Sequence, residues 1–335
     1  MSSGTEGRAV GTTAGTTPGA TMRAAAIDAF GPAENLTVRE VPRPVAAPGE
    51  VLVRVRTAGV QLTDAVIRGG WTPPGATIVF PQVLGNEFAG TVAEIGAGVS
   101  GFSVGDGVAG YRVLGCYAEF VNVPAEQVVP KPAEVSWLTA GALSASGQTA
   151  HTALERLRVG EGETLLVHGA AGGVGTVAVQ LAVARGARVV GTASPANHEY
   201  VRSLGAVPVE YGEGQLQRIR AAAPQGVDAA FDAAGHENLR TAVELVGDRS
   251  RVGTIVDIAL VEELGCQWIS SDRSAARLRE LLDLCAKGRL TITIRETFPL
   301  DEVWKAHLDV ETRHGRGKIA LVVGAGERTD SDGAP

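Results

Sequence analysis

The chain has few cysteines and few aromatic residues, and it has no long apolar run. Its 335 residues include three widely spaced cysteines that form no C-x-x-C pair, namely Cys116, Cys266 and Cys285. This usage argues against a disulfide framework and is typical of reduced thiols in a cytosolic protein. No apolar run approaches the roughly 18 residues of a membrane span. The Gly- and Thr-rich beginning lacks the apolar core of a secretory signal, so we expect a cytoplasmic location.

An excess of positive charge is also missing. Lys and Arg number 30 against 37 Asp and Glu, which gives a formal net charge of −7. Nucleic acids and anionic membrane surfaces attract basic proteins, so we expect neither as a partner. The length exceeds that of one average domain, and the 44% hydrophobic content is that of a globular protein. Two domains are therefore expected.

The most informative segment joins a short apolar run to a glycine cluster. Residues 165–168 form the run, and residues 176–182 continue in a helical apolar pattern. The turn between them contains Gly172, Gly173, Val174 and Gly175. In a strand–turn–helix context, G-x-G-x-x-G lets a pyrophosphate approach the second glycine and lets the helix pack on the strand at the third. Gly172 and Gly175 hold those two positions, and Ala170 holds the first. The segment predicts a dinucleotide site; the alternative is a tight turn that binds nothing.

The sequence after this turn lacks a carboxylate, and this absence helps to predict which dinucleotide binds. An NAD site usually has Asp or Glu about 20 residues beyond the glycines, for the ribose 2′-hydroxyl. No acidic residue occurs between Gly175 and Glu199. A carboxylate would repel a 2′-phosphate, so its absence favours NADP(H). The predicted cofactor-binding polar residues here are Thr192, Ser194, Asn197, His198 and Tyr211.

Two patterns of secondary structure divide the chain. Up to about residue 130, short β-type runs separated by Gly and Pro predict a partly open β-barrel. From about residue 162, strands alternate with helices, which predicts a parallel sheet covered on both faces. The expected strands are 163–168, 187–192, 207–210, 227–232 and 251–256, and the expected helices 174–185, 196–204, 214–223, 237–246 and 274–286. The last part returns to mixed structure, with a strand at 291–294, a helix at 301–312 and a strand at 318–323.

Seven short motifs in order identify the family that the chain resembles. They are GVQLTD (59–64), LGNEFAG (84–90), VGDGV (104–108), YAEF (117–120), AAGGVG (170–175), FDAAG (231–235) and RGKI (316–319). The chain resembles the medium-chain dehydrogenase/reductase superfamily, in its zinc-independent quinone oxidoreductase branch, which includes zeta-crystallin. The resemblance implies an α/β protein with a GroES-like partly open β-barrel catalytic domain, a Rossmann domain with a doubly wound parallel sheet, a cleft between them, and a homodimer.

The resemblance also sets domain boundaries. We expect disordered tails at 1–21 and 326–335, a GroES-like catalytic domain at 22–145, a Rossmann NADP-binding domain at 146–286, and the completion of the catalytic domain at 287–325. The nucleotide-binding domain would then be an insertion in the catalytic domain.

Two substitutions within the motifs argue against zinc. Zinc-containing relatives carry a ligating Cys in the first motif and a His in the second, where this chain has Gln61 and Asn86. Neutral amides are poor zinc ligands, so we expect no metal. Without an ion, hydride transfer requires an acceptor that is already electron-poor, such as a quinone or an α,β-unsaturated carbonyl.

Three residues are predicted to serve catalysis. Gln61 stands where related quinone reductases usually carry an asparagine beside the nicotinamide ribose and substrate; its alternative role is to bridge backbone groups. Thr149 matches the threonine near the nicotinamide carboxamide, with a helix N-cap or first-turn role as the alternative. Trp71 follows Gly69-Gly70, where enoyl-thioester reductases carry a proton-donating tyrosine. An indole is no useful acid, so Trp71 would stack on a flat acceptor or simply pack.

The resemblance also implies roles for further residues. Lys318 closes the domain junction and is expected to contact the cofactor, with a surface charge as the alternative. Asp257 begins a segment that replaces a Gly-Asn-Ser-rich loop facing the nicotinamide, and Val256 precedes it where Gly is usual. Glu87 is interpreted as a polar residue near the cleft or as a buried carboxylate paired with a neighbouring Arg or a backbone donor. His168 is interpreted as strand-end packing. Phenolic donors are possible in Tyr111 and Tyr117, the latter more in keeping with a structural role.

The sequence thus predicts a metal-free NADP(H)-dependent reductase of quinones or activated enones. One alternative is an enoyl reductase that reduces the C=C bond of a polyketide or secondary-metabolite intermediate. Another is a catalytically idle nucleotide-binding or redox-sensing protein, because no acid or base is certain.

Overall fold

Three β-sheets organise residues 16–324, which are the residues that the computed structural model describes. The first part of the chain contains β1 (Thr16–Ile27), β2 (Thr37–Pro44), β3 (Glu50–Val60), α1 (Leu62–Arg68), β4 (Gln82–Val83), β5 (Glu87–Ile95), β6 (Gly107–Tyr111), β7 (Phe120–Pro124) and β8 (Val128–Pro130). β3 pairs antiparallel with β5 and with β7. Most side chains of β3 are buried, because helices pack on the sheet at this strand.

A parallel sheet follows, with helices between its strands. Its elements are α2 (Trp137–Arg156), β9 (Thr164–His168), α3 (Gly173–Ala184), β10 (Arg188–Ala193), α4 (His198–Ser203), β11 (Val207–Glu210), α5 (Gln215–Ala222), β12 (Ala229–Asp232), α6 (Asn238–Leu245), β13 (Val252–Thr254), α7 (Ile258–Leu264), β14 (Gln267–Trp268) and α8 (Ala275–Ala286). The six strands run parallel in the order β11-β10-β9-β12-β13-β14. Their carboxyl ends therefore meet at one edge, with the reversal of strand order between β9 and β12.

The last elements return to the first sheet. They are β15 (Ile294–Pro299), α9 (Val303–Glu311) and β16 (Lys318–Val322). β16 pairs antiparallel with β3 and parallel with β15, giving a seven-stranded sheet. The remaining helical pieces are 3-10 turns at Ala33–Asn35, Ala125–Gln127, Pro195–Asn197, Arg249–Arg251 and Leu300–Glu302. The predicted fold class, a GroES-like antiparallel domain plus a Rossmann parallel sheet, is confirmed.

Several local predictions differ from the structure. Residues 16–21, expected in a disordered tail, begin β1, because Thr16 and Thr21 pair with Pro44 and Pro42 of β2. Residues 1–15 and 325–335, most of the two predicted tails, lie outside the described residues. The strand expected at 291–294 is instead β15, because the backbone of Thr291 pairs with the side chain of Gln180 rather than with a strand.

Three helices were not predicted: α1, α2 and α7. α2 is 20 residues long and runs through the predicted boundary between residues 145 and 146. It packs against both β3 and α3, so it belongs to the cores of both sheets. α7 occupies a segment interpreted as a loop. No helix in the described part of the chain has the length and apolarity needed to cross a membrane.

Candidate active site

The glycine turn lies at the carboxyl edge of the parallel sheet, between β9 and α3. Gly172 precedes the first residue of α3 with an extended backbone. A Cβ on Gly175 would lie 2.1 Å from the carbonyl oxygen of Gly169, so only glycine lets α3 pack this closely on the turn. A Cβ on Gly172 would lie 3.4 Å from the same oxygen, an ordinary contact. Packing therefore requires glycine at 175, whereas Gly172 leaves open backbone in front of the helix N-terminus.

Polar atoms without partners surround this edge. The Ser146 hydroxyl is buried and makes no hydrogen bond, and it lies 3.2 Å from where a Cβ on Gly173 would stand. The Asp257 Oδ2 is likewise buried without a partner, beside Gly235. The open N–H groups of a helix start bind phosphate, and buried polar atoms usually have partners. The glycine turn and these two atoms fit a dinucleotide with its pyrophosphate at the start of α3.

The predicted 2′-phosphate loop runs from the end of β10 into α4. Asn197 donates from Nδ2 to Ser194 Oγ at 3.2 Å, and the His198 ring nitrogen Nε2 lies 3.3 Å from the Ala193 carbonyl oxygen. Tyr211 lies after β11 and is exposed. Thr192, which is predicted to contact the cofactor, lies at the carboxyl end of β10. It is buried, and its hydroxyl accepts from the Gly169 N–H, because the turn needs that bond at the strand end.

A cation missed by the sequence analysis lies against α4, the helix that follows this loop. The guanidinium of Arg316 lies 5.2 Å from the ring centroid of Tyr200. Tyr200 is in the first part of α4. The Tyr200 hydroxyl in turn bonds to Thr176 in α3 and donates to Thr293. Positions 194–198 contain no Lys or Arg. Arg316 was part of the RGKI motif, but sequence distance concealed its approach to α4.

Gln61 belongs to a buried polar cluster around Glu87. Its Nε2 donates to Glu87 Oε1, which also accepts from Lys318 Nζ at 3.0 Å. The other oxygen of Glu87 accepts from the Ala145 N–H in α2 at 2.6 Å. Glu87 is fully buried and Lys318 nearly so. The alternative that Glu87 is a buried, paired carboxylate is confirmed, with the Ala145 N–H as its backbone donor, although its cation is Lys318 rather than an arginine. Lys318 is therefore not a surface charge.

Lys318 also connects this cluster to the glycine turn. Its Cδ lies 2.9 Å from where a Cβ on Gly173 would stand, and Gly317 donates its N–H to the Ala171 carbonyl at 2.9 Å. The stem of Lys318 therefore lies beside the turn while its ammonium pairs with Glu87. Gly173 and Val174 form the first turn of α3 and are half-buried.

Asp64 holds the other side of the cluster. Its carboxylate accepts from the Tyr117 hydroxyl at 2.7 Å, from Asn86 Nδ2 at 2.8 Å and from the Gln61 N–H at 2.9 Å. Burial raises the pKa of Asp64 to about 6, although these three hydrogen bonds oppose the rise. Tyr117 is fully buried, and burial beside Asp64 raises its phenol pKa well above the usual value. Tyr117 is therefore a structural donor, as expected.

The two residues at the zinc-ligand positions are both engaged with carboxylates. Gln61 donates to Glu87, and Asn86 donates to Asp64. In the described residues, no group of three or more His, Cys, Asp and Glu side chains is placed to hold a metal ion. The one cysteine near these residues, Cys116, is buried, and burial raises the pKa of its thiol to about 12.

The remaining predicted residues lie around this cluster. Trp71 follows α1, and 45% of its surface is exposed, so it is not a core residue. Thr149 lies inside α2 and donates to the Ala145 carbonyl at 2.7 Å, so the N-cap alternative is wrong. His168 is fully buried, and burial lowers its pKa to about 3, which confirms a packing role. Val256 has no left-handed backbone, so its position does not require glycine.

Two family profiles match the chain. The alcohol dehydrogenase GroES-like domain matches residues 47–133, and the zinc-binding dehydrogenase family matches residues 204–321. The second family includes zinc enzymes, yet this chain has amides at both ligand positions considered above.

Curated relatives and solved structures agree with these profiles. A quinone oxidoreductase of Pseudomonas aeruginosa is 30% identical over 88% of this chain and 97% of its own length. A 2-haloacrylate reductase of Burkholderia sp. is 30% identical over 90% of this chain and 99% of its own. A mycobacterial protein solved in complex with NADPH is 28% identical, with a TM-score of 0.80 over 90% of this chain and 100% of its own.

Proposed function

Because the chain belongs to the medium-chain dehydrogenase/reductase superfamily, in its quinone oxidoreductase branch, we propose that it is a metal-free, NADP(H)-dependent reductase of quinones or α,β-unsaturated carbonyls. The observation that carries the proposal is the hydrogen bonding of the Gln61 and Asn86 side chains. Both amides are held by carboxylates at the positions where zinc enzymes of the superfamily bind their ion. Gln61 is connected to the glycine turn, because its partner Glu87 pairs with Lys318 and the stem of Lys318 lies beside Gly173. Asn86 directly precedes Glu87 in the chain.

The open backbone at Gly172 supports dinucleotide binding. With the pyrophosphate at the start of α3, one half of the dinucleotide extends toward β10 and the other over β12 and β13. Ser146 and Asp257 would then supply their unpaired atoms to the bound molecule. The Lys318 stem would line the same space beside Gly173.

Arg316 supports NADP(H) over NAD(H). Its guanidinium stacks on Tyr200, and Tyr200 follows the Ser194–His198 loop where a ribose 2′-phosphate would lie. That loop has no carboxylate before Glu199. Arginine binds phosphate through charge and paired N–H groups, so Arg316 supplies the cation that the loop lacks.

The acceptor chemistry follows from the amides of Gln61 and Asn86, which are poor metal ligands. A bound reduced nicotinamide supplies a hydride to a carbon of the acceptor. The displaced π-electron pair moves to the acceptor's carbonyl oxygen, and the resulting anion takes a proton from water. The protein holds the acceptor near Gln61, excludes bulk water and stabilises the oxygen anion by hydrogen bonds. Quinones and activated enones accept hydride in this way without a Lewis acid.

Reduction of a conjugated C=C bond is the second candidate. The similarity to a 2-haloacrylate reductase favours it, because that name describes an activated alkene as substrate. A phenol-based proton donor at position 71 is ruled out for this chain, since an indole occupies it. The homodimer and the cytoplasmic location are part of the same proposal.

NADPH oxidation with a panel of quinones and enones tests the proposal. We expect turnover with at least one of them, and the position of the added hydrogen in the product separates quinone from alkene reduction. Gln61→Ala should lower turnover more than NADPH affinity. Failure of every acceptor would favour an idle nucleotide-binding protein. Wild-type turnover in Gln61→Ala would remove Gln61 from the site.

A further inference from the structure

Arg273 brings a positive charge to the candidate active site from the parallel-sheet side. It lies between β14, the last strand of that sheet, and α8. Its Nη1 donates to the main-chain carbonyl of Asn86 at 3.1 Å, and its guanidinium lies 5.3 Å from the ring centroid of Tyr111. Asn86 and Tyr111 lie on the opposite side of the candidate site, at the antiparallel sheet that contains β5 and β6. Sequence reasoning gave no role to Arg273, which lies outside all seven motifs.

The charge of Arg273 is not balanced by a carboxylate. Among the described residues, no Asp or Glu oxygen forms an ion pair with it, and the neighbouring Asp272 pairs with Arg277 instead. Its protein contacts are a neutral carbonyl, the Asn86 side chain and an aromatic face. A half-buried cation with spare N–H donors is unusual in a chain whose net charge is −7.

Arg273 is connected to Gln61 through hydrogen-bonded residues, so its charge lies near the candidate active site. Arg273 contacts Asn86, Asn86 donates to Asp64, and Asp64 accepts from the Gln61 N–H. The guanidinium therefore lies one residue away from the site where zinc enzymes of the superfamily hold their ion. It enters from the segment after β14, on the side of the sheet toward which the nicotinamide half of a dinucleotide would extend.

We propose that Arg273 binds a carboxylate on the acceptor, so that the substrates are α,β-unsaturated carbonyls bearing a carboxylate group. The inference rests on the proposed reductase function and narrows its substrate class. A guanidinium recognises a carboxylate through two parallel N–H donors, and one of its nitrogens is already fixed by Asn86. The ring of Tyr111 keeps the guanidinium plane in place. The similarity to an enzyme named for a haloacrylate agrees with such a substrate.

The reaction balances with 4-oxo-2-pentenoate as the acceptor. Hydride adds to the alkene carbon next to the carboxylate, which is the β carbon of the ketone. The alkene π pair moves toward the ketone oxygen and forms an enolate. A proton from water then completes the C–H bond at the other alkene carbon, giving 4-oxopentanoate. Arg273 holds the carboxylate throughout and takes no part in bond formation.

The test compares 4-oxo-2-pentenoate with its methyl ester, which is equally conjugated but uncharged. We expect the wild-type protein to prefer the acid by at least about tenfold in kcat/KM. Arg273→Gln keeps a donor for Asn86 but loses the charge. It should lower kcat/KM for the acid about 10- to 100-fold and change that for the ester by less than about threefold, as expected for a lost charge-assisted hydrogen bond. Arg273→Lys should keep part of the preference.

A control and a binding measurement complete the test. Arg279→Gln removes an equal charge from an exposed position of α8 and should leave the acid preference unchanged. Calorimetry with 4-oxopentanoate and NADP⁺ should detect binding to wild type and none to Arg273→Gln. An equal loss with acid and ester, or a wild-type preference for the ester, would overturn the inference. Turnover of menadione in that case would leave the reductase function standing, whereas no turnover of any acceptor would overturn both.

Discussion

The ammonium of Lys318 lies 3.0 Å from Glu87, and this buried ion pair joins the final strand of the catalytic sheet to β5. Glu87 also accepts from Gln61 and from the Ala145 N–H, so four parts of the chain meet at one carboxylate. The same lysine borders Gly173 in the glycine turn. The pair therefore fixes the position of Gln61 relative to the predicted dinucleotide site.

Loss of one member of the Glu87–Lys318 pair should lower the free energy of unfolding. Glu87→Gln leaves the Lys318 charge buried without a partner, and we expect a loss of about 3–5 kcal/mol in the free energy of unfolding. The double variant Glu87→Gln, Lys318→Met should recover part of the loss. Urea unfolding measures both. Glu244→Gln is the control, because its partner Arg220 is more than half exposed and such pairs contribute less than about 1 kcal/mol. Equal effects at the two positions would contradict a buried, coupled pair.

Asp64 should make stability depend on pH. Its folded pKa of about 6 lies above the usual value of 3.8, because burial penalises the charged form. The folded state therefore holds the proton more tightly than the unfolded state. The stabilisation is full below about pH 4 and is lost as the pH rises through about 6, with a total near 3 kcal/mol. Relative to Asp64→Asn, the wild-type free energy of unfolding should fall between pH 4 and 7. Parallel curves for the two proteins would rule out the raised pKa.

The two glycines of the turn should respond differently to alanine. Gly175→Ala places a methyl group 2.1 Å from the Gly169 carbonyl, so it should lower the melting temperature as well as NADPH affinity. Gly172→Ala meets nothing closer than 3.4 Å, so it should leave the melting temperature nearly unchanged while weakening NADPH binding at least about tenfold. NADPH fluorescence titrations and thermal melts separate the two effects. Unchanged affinity in Gly172→Ala would place the pyrophosphate elsewhere.

Arg316 should determine the preference between cofactors. Arg316→Gln removes the charge beside Tyr200 and should raise the KM for NADPH about tenfold or more, with little change for NADH. Arg279→Gln again serves as the control for loss of an exposed charge. If KM for NADPH and NADH rose together, Arg316 would act on the turn rather than on a 2′-phosphate.

Local patterns predicted the parallel sheet well. The strand–helix alternation predicted β9, β10, β11 and β12 to within one or two residues. β9 and β12 are fully buried, and each is a short apolar run bounded by turn residues. The glycine turn was found for the same reason. α7 was missed because it carries few buried residues, and residues 16–21 were missed because pairing with β2, not composition, orders them.

The polar contacts of the site were harder to predict. Gln61 and Asn86 were recognised as amides at zinc positions, but their partners Glu87 and Asp64 depend on how the start of α1 and the start of β5 pack together. Lys318 reaches Glu87 across 231 residues of sequence. Arg273 lies outside every motif, and the motif that contains Arg316 does not indicate its contact with α4, since each arginine contacts a residue distant in the chain.

Turnover by metal-stripped protein tests the central claim most directly. The protein is dialysed against chelator until no stoichiometric transition metal remains, and NADPH oxidation is then measured with menadione and with 4-oxo-2-pentenoate. We expect the same rate before and after stripping, because Gln61 and Asn86 are amides that donate to carboxylates and are poor metal ligands. Loss of activity that added zinc restores, or failure of the stripped protein to bind NADPH, would contradict it.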